Sequence, residues 1–310
     1  MPRHFLRDDD LAPAEQREVL ELAWAFREDR FVRTPLSGPR AVALLFDKPT
    51  LRTQVSFSVG VAELGGFPTL VDGRLAQVGV RESVADVTRV LDRQVAAVVW
   101  RTFGQDRIEE MAGVSRVPVV NALTDDFHPC QILADLLTVA QHRGGLDALP
   151  GQRLAYVGDA GNNMAASYLL GGVTAGMHVA VAGPEGYLPP ADIVARAEEI
   201  AATTGGSVTV TTDVRAAVTG ADVVAADTWV SMGDEDEATE RLAALAGYQV
   251  DGALLAVAKD DAILLHCLPA YRGKEVTAEV IDGPQSVVWD EAENRLHAQK
   301  AVLTFLLEQR

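Results

Sequence analysis

Short runs of apolar and β-branched residues alternate with longer amphipathic stretches along nearly the whole chain. We interpret nine runs as strands: "AVALLF" (41–46), "TLVD" (69–72), "AAVVW" (96–100), "VPVVNA" (117–122), "RLAYVGD" (153–159), "HVAVAGP" (178–184), "SVTVTTD" (207–213), "ADVVAADTW" (221–229) and "AILLHCLP" (262–269). Strand–helix alternation of this kind predicts parallel sheets with helices on both faces. The predicted fold class is therefore α/β with doubly wound parallel sheets.

The length of the chain predicts two domains. At 310 residues it exceeds what one hydrophobic core comfortably serves. The segment "HPCQILADLLTVAQHRGG" separates the two groups of strands. It has Pro129 where a first helical turn tolerates proline and glycines where a helix ends. We therefore predict a bridging helix here, between a first domain over residues 1–135 and a second over residues 136–290.

Composition excludes several classes of partner. The formal net charge of −17 argues against sequence-independent binding of nucleic acid, which needs a basic surface. No stretch approaches the ~20 uninterrupted apolar residues of a membrane span, and the N-terminus lacks the apolar region of a secretory signal. Cys130 and Cys267 are too few for a disulfide framework. We expect a cytoplasmic protein in which any anion site is a local basic cluster.

Polar residues follow several of the predicted strands at their carboxyl ends. This is the edge at which open α/β sheets bind ligands, and a helix beginning there offers N–H groups to an anion. The residues in question are Asp47 to Thr53, Arg101 and Thr102, His128, Asp159, Asn162 and Asn163, Asp227, Ser231 and Met232, and His266 with Cys267. Their joint occurrence at strand ends predicts a ligand site.

Taken singly, these residues also have structural interpretations. Thr50 or Thr53 could simply cap a helix, His128 could cap the bridging helix, and Cys267 could be a small buried hydrophobe. The glycine spacing in "GDAGNN" misses the dinucleotide fingerprint GxGxxG. HExxH, Walker A and GxSxG patterns are absent too, and no clustered His/Cys/Asp spacing suggests a metal. We therefore predict neither a cofactor nor a metal.

Four segments of the chain form a distinctive set: "TLRTQ" (50–54), "FHPCQILADLLT" (127–138), "DTWVSMG" (227–233) and "HCLPA" (266–270). Together they resemble the ornithine branch of the aspartate/ornithine carbamoyltransferase family. The first segment lies where the family has Ser-Thr-Arg-Thr-Arg, so Thr50 keeps the hydroxyl and Gln54 replaces a second arginine. The resemblance runs from the first ten residues to "WDEAENRLHAQKA" (289–301).

The resemblance implies a reaction, a domain plan and a set of partners. The reaction is carbamoyl transfer from carbamoyl phosphate to the δ-amino group of L-ornithine, giving L-citrulline and phosphate, a step of arginine biosynthesis or of a urea cycle. The first domain would bind carbamoyl phosphate and be completed by a C-terminal helix, residues 291–310, that returns to it. The second would bind ornithine. No cofactor is implied, because carbamoyl phosphate is already activated.

The resemblance also assigns site residues by position. Arg101, His128, Cys267 and Arg295 are the implied catalytic residues. Those for carbamoyl phosphate are Thr50, Leu51, Arg52, Thr53, Gln77, Arg101, His128, Gln131, Cys267, Leu268 and Arg295. Those for ornithine are Asn163, Asp227, Ser231 and Met232.

The segment "LAQVGVRES" (75–83) matches the loop with which family members complete the phosphate site of a neighbouring subunit. Gln77 takes the place of the reaching glutamine, and Arg81 stands where a lysine is common. This implies a homotrimer, or a multiple of trimers, with shared active sites. The alternative is a solvated surface loop that precedes a helix.

Two other functions stay open at this stage. One is carbamoyl transfer to another amine, such as aspartate, putrescine, lysine or an N-acylated ornithine; "DTWVSMG" and "HCLPA" argue against aspartate and putrescine. The other is a weakly catalytic paralogue that only binds ligands, an idea that Gln54 suggests. Retention of the arginines at 52, 101 and 295, with His128 and Cys267, weighs against it.

Overall fold

The computed structural model describes residues 2–230 and 235–309. Two compact units make up the chain. Unit 1 comprises Met1–Ala134 together with Glu293–Arg310, and unit 2 comprises Asp135–Ala292. Both are built on a parallel sheet, of four strands in unit 1 and five in unit 2.

Unit 1 carries the first four strands in the order β2-β1-β3-β4, all parallel. The strands are β1 (Ala41–Phe46), β2 (Phe67–Asp72), β3 (Ala97–Arg101) and β4 (Val119–Leu123). The first six helices are α1 (Pro13–Glu28), α2 (Arg52–Glu63), α3 (Gly73–Ala76), α4 (Val84–Leu91), α5 (Gln105–Val114) and α6 (Pro129–Arg143), the last of which continues into unit 2.

Unit 2 carries the remaining strands in the order β7-β6-β5-β8-β9, again all parallel. They are β5 (Arg153–Val157), β6 (His178–Ala182), β7 (Ser207–Thr211), β8 (Val223–Ala226) and β9 (Ile263–His266). Its helices are α7 (Asn163–Ser167), α8 (Ala191–Thr204), α9 (Val214–Val218), α10 (Ala238–Leu245), α11 (Gly252–Leu255) and α12 (Ala278–Ile281).

The last helix, α13 (Val288–Glu308), begins in unit 2, and its residues from Glu293 onward belong to unit 1. Short 3₁₀ segments lie at Asp8–Asp10, Leu146–Ala148, Glu235–Glu237 and Ala246–Tyr248, and a π-helical turn at Tyr168–Gly172 follows α7. Across the described ranges, none of the helices has the length and apolar character that a membrane crossing requires. The predicted bridging helix and the return of the C-terminal helix to the first unit are both confirmed.

Strand burial differs between the interior of the first sheet and one edge strand of each sheet. β1 and β3 lie inside the first sheet and are buried almost throughout, as expected for parallel strands covered on both faces. The edge strands β2 and β7 are exposed or half-buried along their length. Each of the nine predicted apolar runs contains or overlaps a strand, so the α/β prediction is confirmed.

The strand orders also locate the switch points of the sheets. Strand order reverses between β1 and β3 in unit 1, and between β5 and β8 in unit 2. Ligands of open α/β sheets bind outside the carboxyl ends of the strands at such points. The polar residues that follow these four strands therefore lie at the expected ligand positions.

Candidate active site

Two buried arginines converge on one threonine hydroxyl in unit 1. Thr53, in the first turn of α2, accepts a hydrogen bond from Arg101 Nη1 at 3.3 Å and another from Arg295 Nη2 at 3.1 Å. Arg295 also donates through Nη1 to Oε1 of Gln131 at 2.6 Å. All four side chains are buried. Arg101 ends β3, while Arg295 arrives on α13, so the cluster joins the switch point of the sheet to the C-terminal helix.

His128 lies directly before α6 and is buried. Burial, together with the positive charges of Arg295 and Arg101, holds the pKa of its imidazole well below the ordinary value. The ring is therefore neutral at neutral pH. A neutral imidazole beside two guanidinium groups leaves this cluster with a net positive charge inside a protein of net charge −17. This is the local basic cluster that an anionic ligand requires.

The beginning of α2 adds a helix N-terminus to the same cluster. The helix starts at Arg52, and the preceding Leu51 contributes no side-chain cap to it. Thr50 and Arg52 are half-buried, whereas Leu51 is 72 % exposed. The N–H groups of a first helical turn and the partial positive charge of the helix end both favour an anion. Because Leu51 occupies the N-cap position, Thr50 is not the cap of this helix, which was one of the structural interpretations of the sequence.

Gln77 is exposed and lies in the left-handed region at φ 50°. Its neighbour Val78 is buried, and the Val78 carbonyl accepts a hydrogen bond from Arg107 Nη2 at 2.6 Å. Arg107 in turn lies 3.4 Å from Oδ2 of Asp47, the residue that follows β1. A side chain that sequence reasoning missed, Arg107, thus ties the segment bearing Gln77 to the end of the first strand.

In unit 2 the thiol of Cys267 donates a hydrogen bond to Oδ1 of Asp227 at 3.1 Å. Cys267 follows β9 and Asp227 follows β8, which are neighbouring strands. Burial raises the pKa of the thiol well above its usual value, and the charges of Asp227 and Glu291 raise it further. The thiol is therefore protonated, and it acts here as a hydrogen-bond donor rather than as a nucleophile.

The buried Asp227 carboxylate has two further donors. Oδ1 accepts the N–H of Thr228 at 2.7 Å, and Oδ2 lies 3.4 Å from Nδ2 of Asn162. Burial raises the pKa of this carboxyl, while its hydrogen bonds lower it. Asn162 also caps α7 through its Oδ1 and meets the Tyr156 hydroxyl. Asn162 thus joins Cys267 at the Asp227 carboxylate, and the predicted Asn163 beside it is the half-buried first residue of α7.

The remaining predicted residues divide into two groups. Ser231 and Met232 lie outside the described residues. Leu268 is described, and its φ of 56° places it in the left-handed region. Among residues 2–230 and 235–309, the non-glycine residues with positive φ are Gln77 and Leu268, both assigned to carbamoyl phosphate from the sequence. Backbone strain of this kind is concentrated at functional sites.

One group of side chains in unit 2 has the elements of a metal site. Ligand atoms of Asp227, His266 and Cys267 lie within 4.8 Å of one another. However, Nδ1 of His266 already accepts the N–H of Leu268 at 3.0 Å, and the thiol proton is engaged with Asp227. A cation would have to displace that proton, so the residues fit a hydrogen-bonded network better than a metal centre.

Two family models match the chain. The carbamoyl-P binding domain of aspartate/ornithine carbamoyltransferase matches residues 3–141, and the Asp/Orn binding domain of the same enzymes matches residues 150–306. The chain belongs to the aspartate/ornithine carbamoyltransferase family. The resemblance drawn from the four sequence segments is thereby confirmed.

Individual relatives agree with this family. An ornithine carbamoyltransferase of Bifidobacterium longum subsp. infantis is 66 % identical over 304 residues, which cover 98 % of this chain and 95 % of that protein. One of Clavibacter sepedonicus is 63 % identical over 309 residues and the full length of both. The solved ornithine carbamoyltransferase of Pyrococcus furiosus superposes with a TM-score of 0.94 at 42 % identity, covering 100 % of this chain and 98 % of the other.

Some side chains of this carbamoyltransferase site were not found from the sequence. Arg107 lies on the helix after β3, and nothing in its local pattern sets it apart from a solvated arginine. Glu275, which faces His266 in unit 2, lies in a polar loop where a glutamate normally points to water. Asn162, by contrast, was among the polar strand-end residues predicted to form a ligand site, although the resemblance assigned ornithine to its neighbour Asn163.

Proposed function

We propose that this chain transfers the carbamoyl group of carbamoyl phosphate to the δ-amino group of L-ornithine, giving L-citrulline and phosphate. The observation that carries the proposal is the cluster of Arg101, Arg295, Gln131 and His128 around Thr53, in a chain that matches ornithine carbamoyltransferases over their full length. A basic cluster at a switch point suits a small, doubly charged acyl phosphate. No cofactor is required, because the phosphate is itself the activating group.

We assign the leaving phosphate to Thr50, Leu51, Arg52 and Thr53, with Arg101 beside them. The first turn of α2 offers backbone N–H groups, and Arg52 adds a charge-assisted donor. The geometry that supports this is the position of α2 directly after β1 and of Arg101 at the end of β3. As the C–O bond to phosphate breaks, these donors stabilise the charge that collects on the departing oxygen.

We assign the carbamoyl group to Arg101, His128, Gln131 and Arg295, with Cys267 and Leu268 as further contacts. The carbonyl oxygen becomes negative when the tetrahedral intermediate forms, and donors that already point at it lower the barrier. The shared bonds of Arg101 and Arg295 to Thr53 support this role, because they hold both guanidinium groups in place before any substrate binds. The Gln131 amide suits the carbamoyl NH₂ group.

We assign ornithine to Asn163, Asp227, Ser231 and Met232, with Cys267 beside the attacking amine. A free alkyl amine is mostly protonated at neutral pH, yet it must attack as the neutral base. Asp227 is a buried carboxylate suited to an ammonium group. In the reaction the δ-nitrogen bonds to the carbonyl carbon, and the departing phosphate accepts the surplus proton, so no dedicated general base is needed.

We propose that residues 1–135, completed by 291–310, form the carbamoyl-phosphate domain and that 136–290 form the ornithine domain. We further propose a cytoplasmic homotrimer, or a multiple of trimers, in which Gln77 completes the phosphate site of a neighbouring subunit. Exposed apolar side chains around Gln77 support an interface there, since Leu75 is 79 % and Val80 is 80 % exposed. The free thiols of Cys130 and Cys267 suit a reducing compartment.

The test is a citrulline assay with the purified protein. Carbamoyl phosphate is supplied with L-ornithine, L-aspartate, putrescine, L-lysine or N-acetylornithine at equal concentration, and released phosphate is measured in parallel. We expect citrulline and phosphate in equal amounts with ornithine, and far slower reaction with the other amines. Faster carbamoylation of another amine, or ligand binding without turnover, would contradict the proposal. Sedimentation of the same sample tests the trimer.

A further inference from the structure

His266 and Glu275 form a buried pair in unit 2 that the reaction proposed above does not use. Nε2 of His266 lies 3.4 Å from Oε1 of Glu275, and both side chains are 0 % exposed. The imidazole also has a hydrogen-bond partner in the backbone, since its Nδ1 accepts the N–H of Leu268 at 3.0 Å. On its other side, Nε2 faces the Glu275 carboxylate at 3.4 Å without a hydrogen bond to it.

Glu275 is itself fixed by the backbone around it. Its Oε1 accepts the N–H of Tyr271 at 2.5 Å, and its own carbonyl accepts the N–H of Val250 at 2.8 Å. His266 is held at its backbone as well, because its N–H donates to Oε2 of Glu291 at 2.7 Å. The imidazole thus lies between a fixed carboxylate that packs against Nε2 and a strand end that holds its Cα.

The group held by this imidazole is the turn that carries Cys267 and Leu268. Leu268 has φ of 56°, a conformation that is strained for a residue with a Cβ and persists only where the surroundings impose it. The bond from the Leu268 N–H to His266 Nδ1 closes this turn. Without it, Leu268 would relax towards negative φ, and both the thiol of Cys267 and the carbonyl of Leu268 would turn away from their present directions.

We propose that Glu275 and His266 are positioning residues for the carbamoyl transfer. Glu275 packs against the ring of His266 and holds it in place, and His266 locks the Cys267–Leu268 turn through Nδ1 so that the thiol meets Asp227. The inference rests on the proposed function, because it explains how two of the assigned site residues are held. Neither residue touches substrate, because each acts through the Cys267–Leu268 turn.

Two substitutions of His266 separate positioning from simple stability. In His266→Asn the side-chain oxygen takes the place of Nδ1 and accepts the Leu268 N–H, as asparagine does in turns, but it does not reach Glu275. His266→Phe fills the ring volume and accepts nothing. We expect His266→Asn to keep kcat/KM for ornithine within about tenfold of the wild type, and His266→Phe to lose at least about a hundredfold, the usual result of a displacement near 1 Å.

Both variants are assayed at a temperature below their melting transitions. If the pair serves stability alone, the two variants will lose the same kcat/KM there and differ only in melting temperature. Equal loss, or a more active phenylalanine variant, overturns the proposal. The failure of the proposed function is a separate outcome, because in that case the wild-type protein itself forms no citrulline.

A second pair of variants tests the other end of the network and serves if the His266 variants fail to fold. Glu275→Gln keeps an oxygen that accepts the Tyr271 N–H and faces the His266 ring, whereas Glu275→Leu keeps the volume but no acceptor. We expect the glutamine variant to stay within about fivefold of the wild type and the leucine variant to fall about a hundredfold in kcat/KM. Glu279→Gln, an exposed glutamate on α12, is the matched control and is expected to be unchanged. Leucine and glutamine variants of equal activity would overturn the proposal.

Discussion

The thiol of Cys267 lies 3.1 Å from Oδ1 of Asp227, on neighbouring strands of the second sheet. Burial is the largest influence on the pKa of both groups, and this contact is a smaller influence on each. The thiol keeps its proton because burial and nearby carboxylates raise its pKa, and the proton stabilises the buried carboxylate through a hydrogen bond. A cysteine that the sequence allowed to be a small hydrophobe or a catalytic residue is therefore a hydrogen-bond donor in the candidate ornithine site.

Cys267→Ala is expected to weaken ornithine binding more than Cys267→Ser. Alanine removes one of the two donors to the buried Oδ1 of Asp227, and a lost hydrogen bond to a charged group typically costs about 1.5–3 kcal/mol, or about 10- to 150-fold in affinity. Serine retains a donor on a shorter arm and should cost less than about tenfold. Steady-state kinetics with each substrate varied in turn will separate the two affinities. A collapse of carbamoyl phosphate affinity alone would contradict the assignment of Cys267 to the amine side.

Arg295→Lys is expected to lower kcat about a hundredfold or more, although the charge is retained. Arg295 uses both terminal nitrogens, one on Gln131 and one on Thr53, and a single ammonium group does not span both acceptors. The matched control is Arg89→Lys, an exposed arginine on α4 that pairs with Asp86 one helical turn away. If Arg295→Lys turns over within about threefold of the wild type, the reaction does not depend on the simultaneous contacts of the two guanidinium nitrogens.

The stability of the protein should fall as pH drops below the ordinary pKa of histidine, partly through His128. Above pH 6.5 the imidazole is neutral whether the chain is folded or unfolded. Below pH 6.5 the imidazole binds a proton in the unfolded chain but not in the folded chain, because burial and two arginines lower its pKa in the folded state. The contribution of His128 to stability therefore decreases from pH 6.5 down to the pKa of the folded imidazole and is constant below that pKa.

His128→Asn removes this contribution and leaves those of His4 and His297, whose pKa values are also lowered by burial. We therefore expect the melting temperature of the wild type to fall more steeply than that of the variant between about pH 7.5 and about pH 5.5. Parallel curves for the two proteins would show that His128 takes up its proton equally in the folded and unfolded states.

Lys300→Met is expected to destabilise unit 1 by about 1.5–3 kcal/mol, the usual value of a hydrogen bond to a charged group. The Lys300 side chain is fully buried, donates to Oε2 of Glu63 at 2.7 Å and to the Arg30 carbonyl, and lies 4.5 Å from the centroid of the Phe26 ring. Denaturant unfolding at neutral pH measures the change. Arg17→Met breaks an exposed pair with Glu21 and should change stability far less. Equal effects would contradict the role of Lys300.

The sequence alone determined the fold class, and the reason is local. A buried parallel strand needs an unbroken apolar run, and runs such as "AVALLF" and "RLAYV" show this without any knowledge of their neighbours. The sequence also placed Arg101, His128 and Asp227 near strand ends, because a polar residue that follows a buried apolar run lies where that strand leaves the sheet. Boundaries were less exact: β2 begins at Phe67, two residues before the predicted start, since an exposed edge strand lacks the apolar signal.

The contacts within the site were decided by the tertiary structure. Arg295 reaches Gln131 across 164 positions of the chain and Thr53 across 242, and Cys267 meets Asp227 across 40. Such contacts depend on strand order and on the path of α13, and no local pattern encodes either. The same holds for His266 and Glu275. A sequence does not distinguish a buried glutamate from an exposed one. Only tertiary packing decides which carboxylate is shielded from water.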